Sequence, residues 1–419
     1  MIADERRNRD WLKISLFIFS LTAWLFTTVS AASCFAGGIV FRATLGLSSD
    51  QTAMVLSLGS LSVLLSVIHF SALRHAFKNS PPAPMPTRSD KALSISSAAM
   101  LCWILVMGIS YFNGNDKLFT AIQPYLTPLA IWIPIWWFIE FGKRKLPSIT
   151  ARKRNAALSI GSSYVIVFIM ALELIVFALL IAGLLIYLNT QPSIQQWIRT
   201  LSIPEDLSQI DTRFIEQYIH RILQNPWFLA IVFMVIGVIA PFIEESLKPA
   251  ALWVLQKRSL TPSQGFILGL YFGGAFALIE NAGMVIQLGS QSWSESVLLR
   301  AATALLHITC SGLVGCGYAR SMQPGKTSAF LKPFLLALLL HGAWNSMAVL
   351  SGYAFFSSET GIDALSSTPA LKLISIIALV LIWLIIVYLL WKKNQDLRKE
   401  TSFEAHTNSA DGVSMNKVE

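Results

Sequence analysis

Long runs of apolar, uncharged residues limit what this chain can fold into more than any other feature of its sequence. One of these runs, "WFLAIVFMVIGVIA", begins at Trp227. Several of them reach the roughly 20 residues with which a helix crosses about 30 Å of hydrocarbon. Charged residues make up only 13% of the chain, about half of their share in a typical soluble domain. Since backbone groups in lipid must bond within their own segment, the runs predict an all-α, polytopic membrane protein.

About ten membrane-spanning helices are predicted from these runs. They cover residues 14–41, 52–73, 92–112, 118–141, 159–188, 227–255, 263–288, 296–319, 328–352 and 371–391. Of the 32 basic residues, 24 fall on one set of loop faces, and the positive-inside rule places that set, with both termini, in the cytoplasm. The opposite, outer set contains Arg42, Lys117, Arg199, Arg213, Arg221, Arg300 and Lys372. The net charge of +9 is thus explained by topology and indicates no nucleic-acid partner.

Three regions are predicted from the distribution of polar sequence. Residues 1–155 form an N-terminal region of four spans with no assigned role, and its first run is too long for a cleaved signal peptide. Residues 156–391 form a core that contains the motifs described below. Within the core, the loop 189–226 has apolar residues at helical spacing and is expected to lie on the outer membrane surface, with a role as a lid as an alternative. The polar residues 392–419 are predicted to be a disordered cytoplasmic tail.

Four of the later spans contain ionisable or amide side chains near their midpoints, in the motifs "EESLK", "FALIEN", "HITCSG" and "HGAWN". A charged side chain at the centre of a bilayer costs about 2.5–3.5 kcal/mol on insertion scales. The motifs supply Glu244, Glu245, Lys248, Glu280, Asn281, His307, Ser311, His341 and Asn345. Polar residues that are merely tolerated should scatter towards span ends, so the common depth of these residues predicts one shared site. The role of Glu173, halfway along an earlier span, is left open.

The seventh span also carries a stripe of small residues that predicts which way it faces. Gly265, Gly269, Gly273 and Ala277 recur at every fourth position, a pattern with which membrane helices pack closely. Glu280 follows Gly273 by seven residues, which is within about 20° of the same face. We therefore expect Glu280 to point into the helix bundle rather than into lipid.

Carboxylates, imidazoles and an amide in dry surroundings are the groups that amide hydrolysis needs. One glutamate can take a proton from water, and a second acid can protonate the leaving amine. Asn345 or a backbone N–H would stabilise the oxyanion, the histidines would position the water or bind a metal, and Lys248 would balance charge. Two alternatives stay open at this point: a proton-coupled membrane transporter, and a protease-like scaffold that binds membrane helices without cutting them.

In their order along the chain, these motifs resemble those of the PrsW family of intramembrane proteases, which is related to the CAAX prenyl endopeptidases. The resemblance covers the four motif spans, roughly residues 227–350, and extends to the preceding span and the outer loop. It implies an intramembrane endopeptidase that hydrolyses peptide bonds of membrane-anchored protein substrates, in the regulated proteolysis of a signalling protein. It also implies an integral membrane protein surrounded by lipid, in a bacterial cytoplasmic membrane.

The resemblance implies catalytic roles for individual residues. Glu244 and Glu245 match the essential glutamate pair of the family. His307 and His341 match its histidines, and Asn345 matches the amide that follows.

Glu280 departs from the pattern of the CAAX-type relatives, which carry a histidine at this place. Either Glu280 shares a proton with Glu244, or a metal joins the two. The cofactor is open, with zinc as one option, although no established zinc spacing such as H-E-x-x-H is present. The candidate metal ligands are His307, His341 and Glu280.

Overall fold

The structure is a computed structural model that describes residues 2–78, 91–113, 117–190, 226–248, 252, 260–288, 293–360 and 368–415. Helices make up nearly all of these residues, and none of them lies in a β-strand. The predicted all-α class is therefore confirmed.

Ten helices follow one another along the described residues, and each contains a stretch long and apolar enough to cross a membrane. They are α1 (Ile2–Leu45), α2 (Ser49–His75), α3 (Lys91–Asn113), α4 (Lys117–Gly142), α5 (Ala151–Ile160, Gly161–Val165 and Ile166–Thr190), α6 (Pro226–Met234, Val235–Ile239 and Ala240–Leu247), α7 (Pro262–Leu288), α8 (Trp293–Ser321), α9 (Leu331–Thr360, after a 3-10 turn at Thr327–Phe330) and α10 (Thr368–Met415). The middle segments of α5 and α6 are π-helical. The predicted number of spans is confirmed, whereas the orientation of the termini stays a prediction.

The start of α5 differs from the predicted span boundary. The span is predicted to begin at residue 159, but α5 begins at Ala151. The hydroxyl of Thr150 accepts a hydrogen bond from the backbone N–H of Lys153 (3.4 Å) and caps the helix there. Lys and Arg form helices well, so the basic sequence assigned to a loop is the first turn of this helix.

The π-helical turn of α6 lies directly before Pro241. Proline has no backbone N–H, and its ring disturbs the preceding turn of a helix. A π-helical turn is one of the forms in which a helix accommodates such a disturbance. The α-helical path resumes at Ala240–Leu247, and this short segment carries the glutamate pair.

The helices group into two compact units. Unit 1 consists of Met1–Ile166, Glu245–Ala337 and Trp383–Glu419, and unit 2 consists of Val167–Glu244 and Leu338–Ile382. The boundary therefore passes between the two consecutive glutamates. The predicted division after residue 155 separates sequence that has the resemblance from sequence that does not, and it stays a prediction.

In unit 1, α7 packs against α8 along the predicted stripe of small residues. A Cβ atom added to Gly269 would overlap the backbone carbonyl of Ser311, and one added to Gly273 would overlap that of His307. Only hydrogen fits at these positions, so the two backbones are in direct contact. The predicted close helix contact is confirmed, and it brings the middle of α8 against the helix that carries Glu280.

The last helix continues well past the predicted end of the tenth span. The backbone is helical over residues 392–415, so the prediction of a disordered tail is wrong there. Asn394 donates from Nδ2 to the carbonyls of Gly142 (2.8 Å) and Arg144 (2.9 Å). These hydrogen bonds hold the polar part of α10 against the turn after α4. Amino-acid composition alone does not indicate such a contact. Residues 416–419 lie outside the described residues.

The predicted amphipathic helix of the loop 189–226 is not tested, because residues 191–225 lie outside the described residues. Its position on the membrane surface and its role as a lid stay predictions.

Candidate functional site

Two glutamates and a lysine lie at the C-terminal end of α6. Glu244 and Glu245 are in its last turn, and Lys248 follows in a turn of the backbone. All three residues are buried. Buried charges need partners, because an uncompensated charge in dry surroundings is strongly unfavourable. Consecutive residues of a helix point about 100° apart, so the two glutamates face different partners.

In unit 1, the ammonium group of Lys248 joins Glu245 to His307. Its Nζ donates to Oε1 of Glu245 (2.9 Å) and lies 2.9 Å from Nδ1 of His307. The same Nζ lies 4.1 Å from the ring centroid of Phe276, a cation–π contact that stabilises a desolvated cation. An ammonium group has donors only, so Nδ1 of His307 is the acceptor. A neutral His307 therefore carries its proton on Nε2.

The second ring nitrogen of His307 extends these contacts to α7. Nε2 lies 2.6 Å from Oε2 of Glu280, and Oε1 of Glu280 accepts a hydrogen bond from Nη2 of Arg300 (2.6 Å). Nε of Arg300 donates to Oδ1 of Asn281 (2.7 Å), and Nδ2 of Asn281 donates to the backbone carbonyl of Arg300 (2.8 Å). We call the continuous series of contacts the ion-pair chain. Its members are Glu245, Lys248, His307, Glu280 and Arg300.

The charges alternate along the ion-pair chain. Carboxylates at Glu245 and Glu280 are each in contact with a cation, Lys248 or Arg300, and the imidazole of His307 lies between the two pairs. With a neutral imidazole, the chain as a whole carries no net charge. Such contacts are strengthened in an interior of low dielectric constant, and charge compensation makes so many ionisable groups tolerable inside membrane-spanning helices.

In unit 2, Glu244 of α6 faces His341 of α9. Oε1 of Glu244 lies 3.9 Å from Nε2 of His341, and both side chains are buried. The two helices meet closely beside this pair, since a Cβ atom added to Gly342 would overlap the backbone carbonyl of Gly237. Because these two glycines have no side chains, α6 and α9 approach closely enough for His341 to face the carboxylate of Glu244.

Asn345 contributes to the same helix contact. Its Nδ2 donates to the backbone carbonyl of Ile236 (3.0 Å), which lies in the π-helical turn of α6. This bond uses one of the two N–H donors of the amide. Asn345 therefore helps to hold α9 against α6, in addition to the oxyanion role predicted for it.

The predicted site residues occur in two groups. Unit 1 brings together Glu245, Glu280 and His307, and unit 2 brings together Glu244, His341 and Asn345. From its sequence position Arg300 is predicted to be a basic residue of the outer face, whereas it contacts Glu280 from within a membrane-spanning helix. Its spacing of seven residues from His307 places both on one face of α8, and this spacing is the signal that could have identified it.

The donor types at these positions suit a metal ion. Catalytic zinc binds histidine nitrogens and carboxylate oxygens, and the buried residues Glu244, Glu245, His307 and His341 offer two of each. In unit 2, the 3.9 Å between Glu244 and His341 lets both side chains reach one ion or one water. In unit 1, Lys248 already contacts donor atoms of Glu245 and His307. Glu244 and His341 therefore fit the role of metal ligands most directly.

Two of the three predicted metal ligands are engaged with other side chains in unit 1. Both oxygens of Glu280 have partners, at Arg300 and at His307. Both ring nitrogens of His307 likewise have partners, at Lys248 and Glu280. A metal role for either residue stays a prediction.

A comparison with protein families matches residues 208–388 to the family described as PrsW family intramembrane metalloprotease. The match supports intramembrane proteolysis and confirms the resemblance to this family over that region. It includes all six predicted catalytic residues and excludes the first five membrane-spanning helices. No curated protein and no solved structure matches the chain.

Proposed function

We propose that this chain is an intramembrane protease that hydrolyses peptide bonds of membrane-anchored protein substrates. The observation that carries the proposal is the set of buried carboxylates and imidazoles on membrane-spanning helices within the region that matches the protease family. The signalling role that the resemblance implies for the substrate is part of the proposal. The residues proposed to act in one catalytic centre are Glu244, Glu245, Glu280, His307, His341 and Asn345. Support for a single centre comes from the chain itself, because Glu244 and Glu245 are consecutive residues of α6.

Glu244 is the proposed general base. Its carboxylate accepts a proton from water, and the water oxygen forms a bond to the carbonyl carbon of the scissile peptide. When the C–N bond breaks, Glu244 returns the proton to the leaving nitrogen, so that protons and bonds balance. His341, at 3.9 Å, is proposed to orient the water. Proton transfer of this kind contributes roughly 10²- to 10⁴-fold to the rate.

The ion-pair chain is proposed to make this base usable. Adjacent carboxylates repel one another, and the ammonium group of Lys248, 2.9 Å from Glu245, relieves that repulsion at Glu244. The second N–H of Asn345, or a backbone N–H, is proposed to stabilise the oxyanion. A metal ion, which the family description implies, would be held by Glu244 and His341 and would supply a bound water of lowered pKa.

Glutamine substitution tests the base role directly. Glu244→Gln keeps the size of the side chain but removes the proton acceptor. We expect cleavage of a co-expressed membrane-anchored substrate to fall about 10²- to 10⁴-fold, with unchanged abundance of the protein on immunoblots. The matched control is Glu140→Gln, which changes another buried glutamate that pairs with Lys143 at the end of α4. This control should cleave at the wild-type rate.

The companion variant His307→Ala is expected to lose cleavage as well, because it interrupts the ion-pair chain. Cleavage at the normal rate in both Glu244→Gln and His307→Ala would overturn the assignment of the catalytic centre. A scaffold that only binds membrane helices would retain its substrate-dependent effect in Glu244→Gln, because binding needs no proton acceptor.

A further inference from the structure

A cavity opens between α1, α2 and α4, in a part of unit 1 that the family match does not cover. Its volume is about 530 Å³, within the range of roughly 300–1,000 Å³ that is usual for small-molecule sites. All three helices precede residues 208–388, so the proposed catalytic centre does not account for this cavity. We call it the α1–α2–α4 cavity.

The α1–α2–α4 cavity is apolar at one end and has a cation at the other. Arg42 lies in the last turn of α1, near a membrane surface. Phe35 precedes it by seven residues, which is about 10.5 Å along the helix and within about 20° of the same face. Ile39 lies between them, and Leu56 of α2 is a further apolar lining residue. The ring of Tyr125 on α4 stacks on that of Phe35, with 6.4 Å between the centroids.

The charge of Arg42 is not compensated within the cavity. Arg42 is exposed, and no hydrogen bond or ion pair joins its guanidinium group to another group in the described ranges. Asp50, the acidic residue nearest to it in the sequence, lines a different and smaller cavity. Among the described residues, the lining of the α1–α2–α4 cavity contains one cationic side chain and no acidic one. The planar fork of a guanidinium group matches the oxygens of a phosphate.

A glycerophospholipid has the same order of groups, with a phosphate at the membrane surface and acyl chains below it. An acyl chain gains little by leaving the bilayer for an apolar cavity, because lipid tails are already as apolar as leucine. Selectivity for a lipid must therefore come from its headgroup. A zwitterionic headgroup brings its own cation close to Arg42, whereas the charge of an anionic headgroup is only opposite to that of Arg42.

We propose that the α1–α2–α4 cavity binds one anionic glycerophospholipid, with the phosphate on Arg42 and an acyl chain against Phe35, Ile39 and Leu56. The lipid contacts three helices at once, so its binding stabilises their packing by mass action. The proposal gives a binding role to the N-terminal region. It goes beyond the proposed function, because it holds for this cavity independently of proteolysis.

Native mass spectrometry of the full-length protein in detergent measures lipid binding directly. The probes are phosphatidylglycerol, which is anionic, and phosphatidylcholine, which is zwitterionic, with the same acyl chains. We expect the wild type to bind one phosphatidylglycerol in preference to phosphatidylcholine. Arg42→Gln should weaken the binding of phosphatidylglycerol by about 5-fold or more, which is the contribution of one basic residue near a membrane surface. The preference between the two lipids should disappear in this variant.

The matched control for the charge is Arg74→Gln. Arg74 is exposed and lies in the last turn of α2, as Arg42 does in that of α1, but it does not line the cavity. This control should bind phosphatidylglycerol as the wild type does. An equal loss in Arg42→Gln and Arg74→Gln would overturn the proposal, since the lipid would then respond to net charge alone.

A second variant tests the cavity itself. Ala43→Phe places a ring among the lining residues and should weaken the binding of both lipids by the same factor. Ala36→Phe is its control, because Ala36 is an exposed residue of α1 outside the lining. Undiminished binding by Ala43→Phe would place the lipid elsewhere and would overturn the proposal.

Photo-crosslinking of the wild type locates the lipid without any substitution, and so decides the case in which Ala43→Phe folds poorly. A phosphatidylglycerol with a photoreactive acyl chain should label peptides of α1, α2 and α4. Labels confined to other helices, or a wild type without preference for phosphatidylglycerol, would contradict the proposal. A wild-type dimer that excludes the lipid would identify a second copy of the chain as the occupant and would also overturn it.

Discussion

Helices α7 and α8 differ from α5 and α10 in what surrounds them, although all four are apolar enough to span a membrane. In the most apolar part of each helix, 89% of the residues of α7 and 72% of those of α8 are buried by protein, against 11% for α5 and 17% for α10. The two buried helices are also less hydrophobic than the two exposed ones. Of these four spans, the two more polar ones are enclosed by protein, and the two more apolar ones face outwards.

This difference follows from the solvent of a membrane protein. Lipid tails are as apolar as leucine, so an apolar helix gains little by leaving them. A polar side chain, in contrast, must be enclosed and paired. Three of the five members of the ion-pair chain lie on α7 and α8, whereas Glu245 lies in the last turn of α6 and Lys248 directly follows that helix. For α7 and α8, the position of these charges coincides with the burial of the helix by protein.

The first prediction sharpens the comparison by removing a cation from the interior. Lys248→Met should destabilise the protein by about 3–5 kcal/mol, because the carboxylate of Glu245 stays buried without this cation. The matched control is Lys392→Met, since Lys392 makes an equivalent contact with Asp396 (2.7 Å) but its side chain is 46% exposed, against 1% for Lys248. The control should lose at most about 1 kcal/mol. Thermal unfolding in detergent measures both, and equal losses would contradict the account.

A second prediction concerns the backbone contact between the two buried helices. Gly273→Leu should force α7 away from α8, because even a Cβ atom would overlap the carbonyl of His307. Overpacking of this kind costs about 1–3 kcal/mol or more, and the displacement of Glu280 should abolish cleavage while membrane insertion is kept. Gly283→Leu is the control on the same helix, since no atom lies within 4 Å of a Cβ added there. Full activity of Gly273→Leu would show that this contact does not position the site.

The smallest predicted effect tests the helical segment that follows the span of α10. Asn394→Ala removes two hydrogen bonds to the turn after α4 and should cost about 1–2 kcal/mol. Faster hydrogen exchange over residues 392–402 is expected to accompany this loss. Asp396→Ala is the control, because it removes only an exposed i,i+4 contact with Lys392, worth about 0.3–0.5 kcal/mol. Equal exchange in the two variants would indicate that Asn394 does not hold this segment.

The features that were predicted correctly from the sequence are those that local pattern determines. The ten spans follow from the length of apolar runs, and the contact of α7 with α8 follows from glycine spacing within a single helix. The direction of Glu280 was predicted in the same way, from its angle to Gly273, and its contact with His307 bears this out.

The features that were missed depend on partners distant in the chain. Asn394 bonds to carbonyls about 250 residues earlier, so composition alone suggested a disordered tail. Because arginines usually lie in loops, Arg300 was assigned to the outer face from its sequence. Its contact with Glu280 depends on the packing of α7 on α8 and is not evident from either helix alone. The engagement of both nitrogens of His307 likewise needs three separate segments of chain to meet.

We propose that the glutamates of α6 cleave a peptide bond inside the membrane. The most direct measurement reconstitutes the purified full-length protein in lipid vesicles with a substrate that has one membrane-spanning segment, and determines the masses of the products. We expect two fragments from a cut within that segment for the wild type, and none for Glu244→Gln. An intact substrate with the wild type, or the same fragments with Glu244→Gln, would contradict the claim.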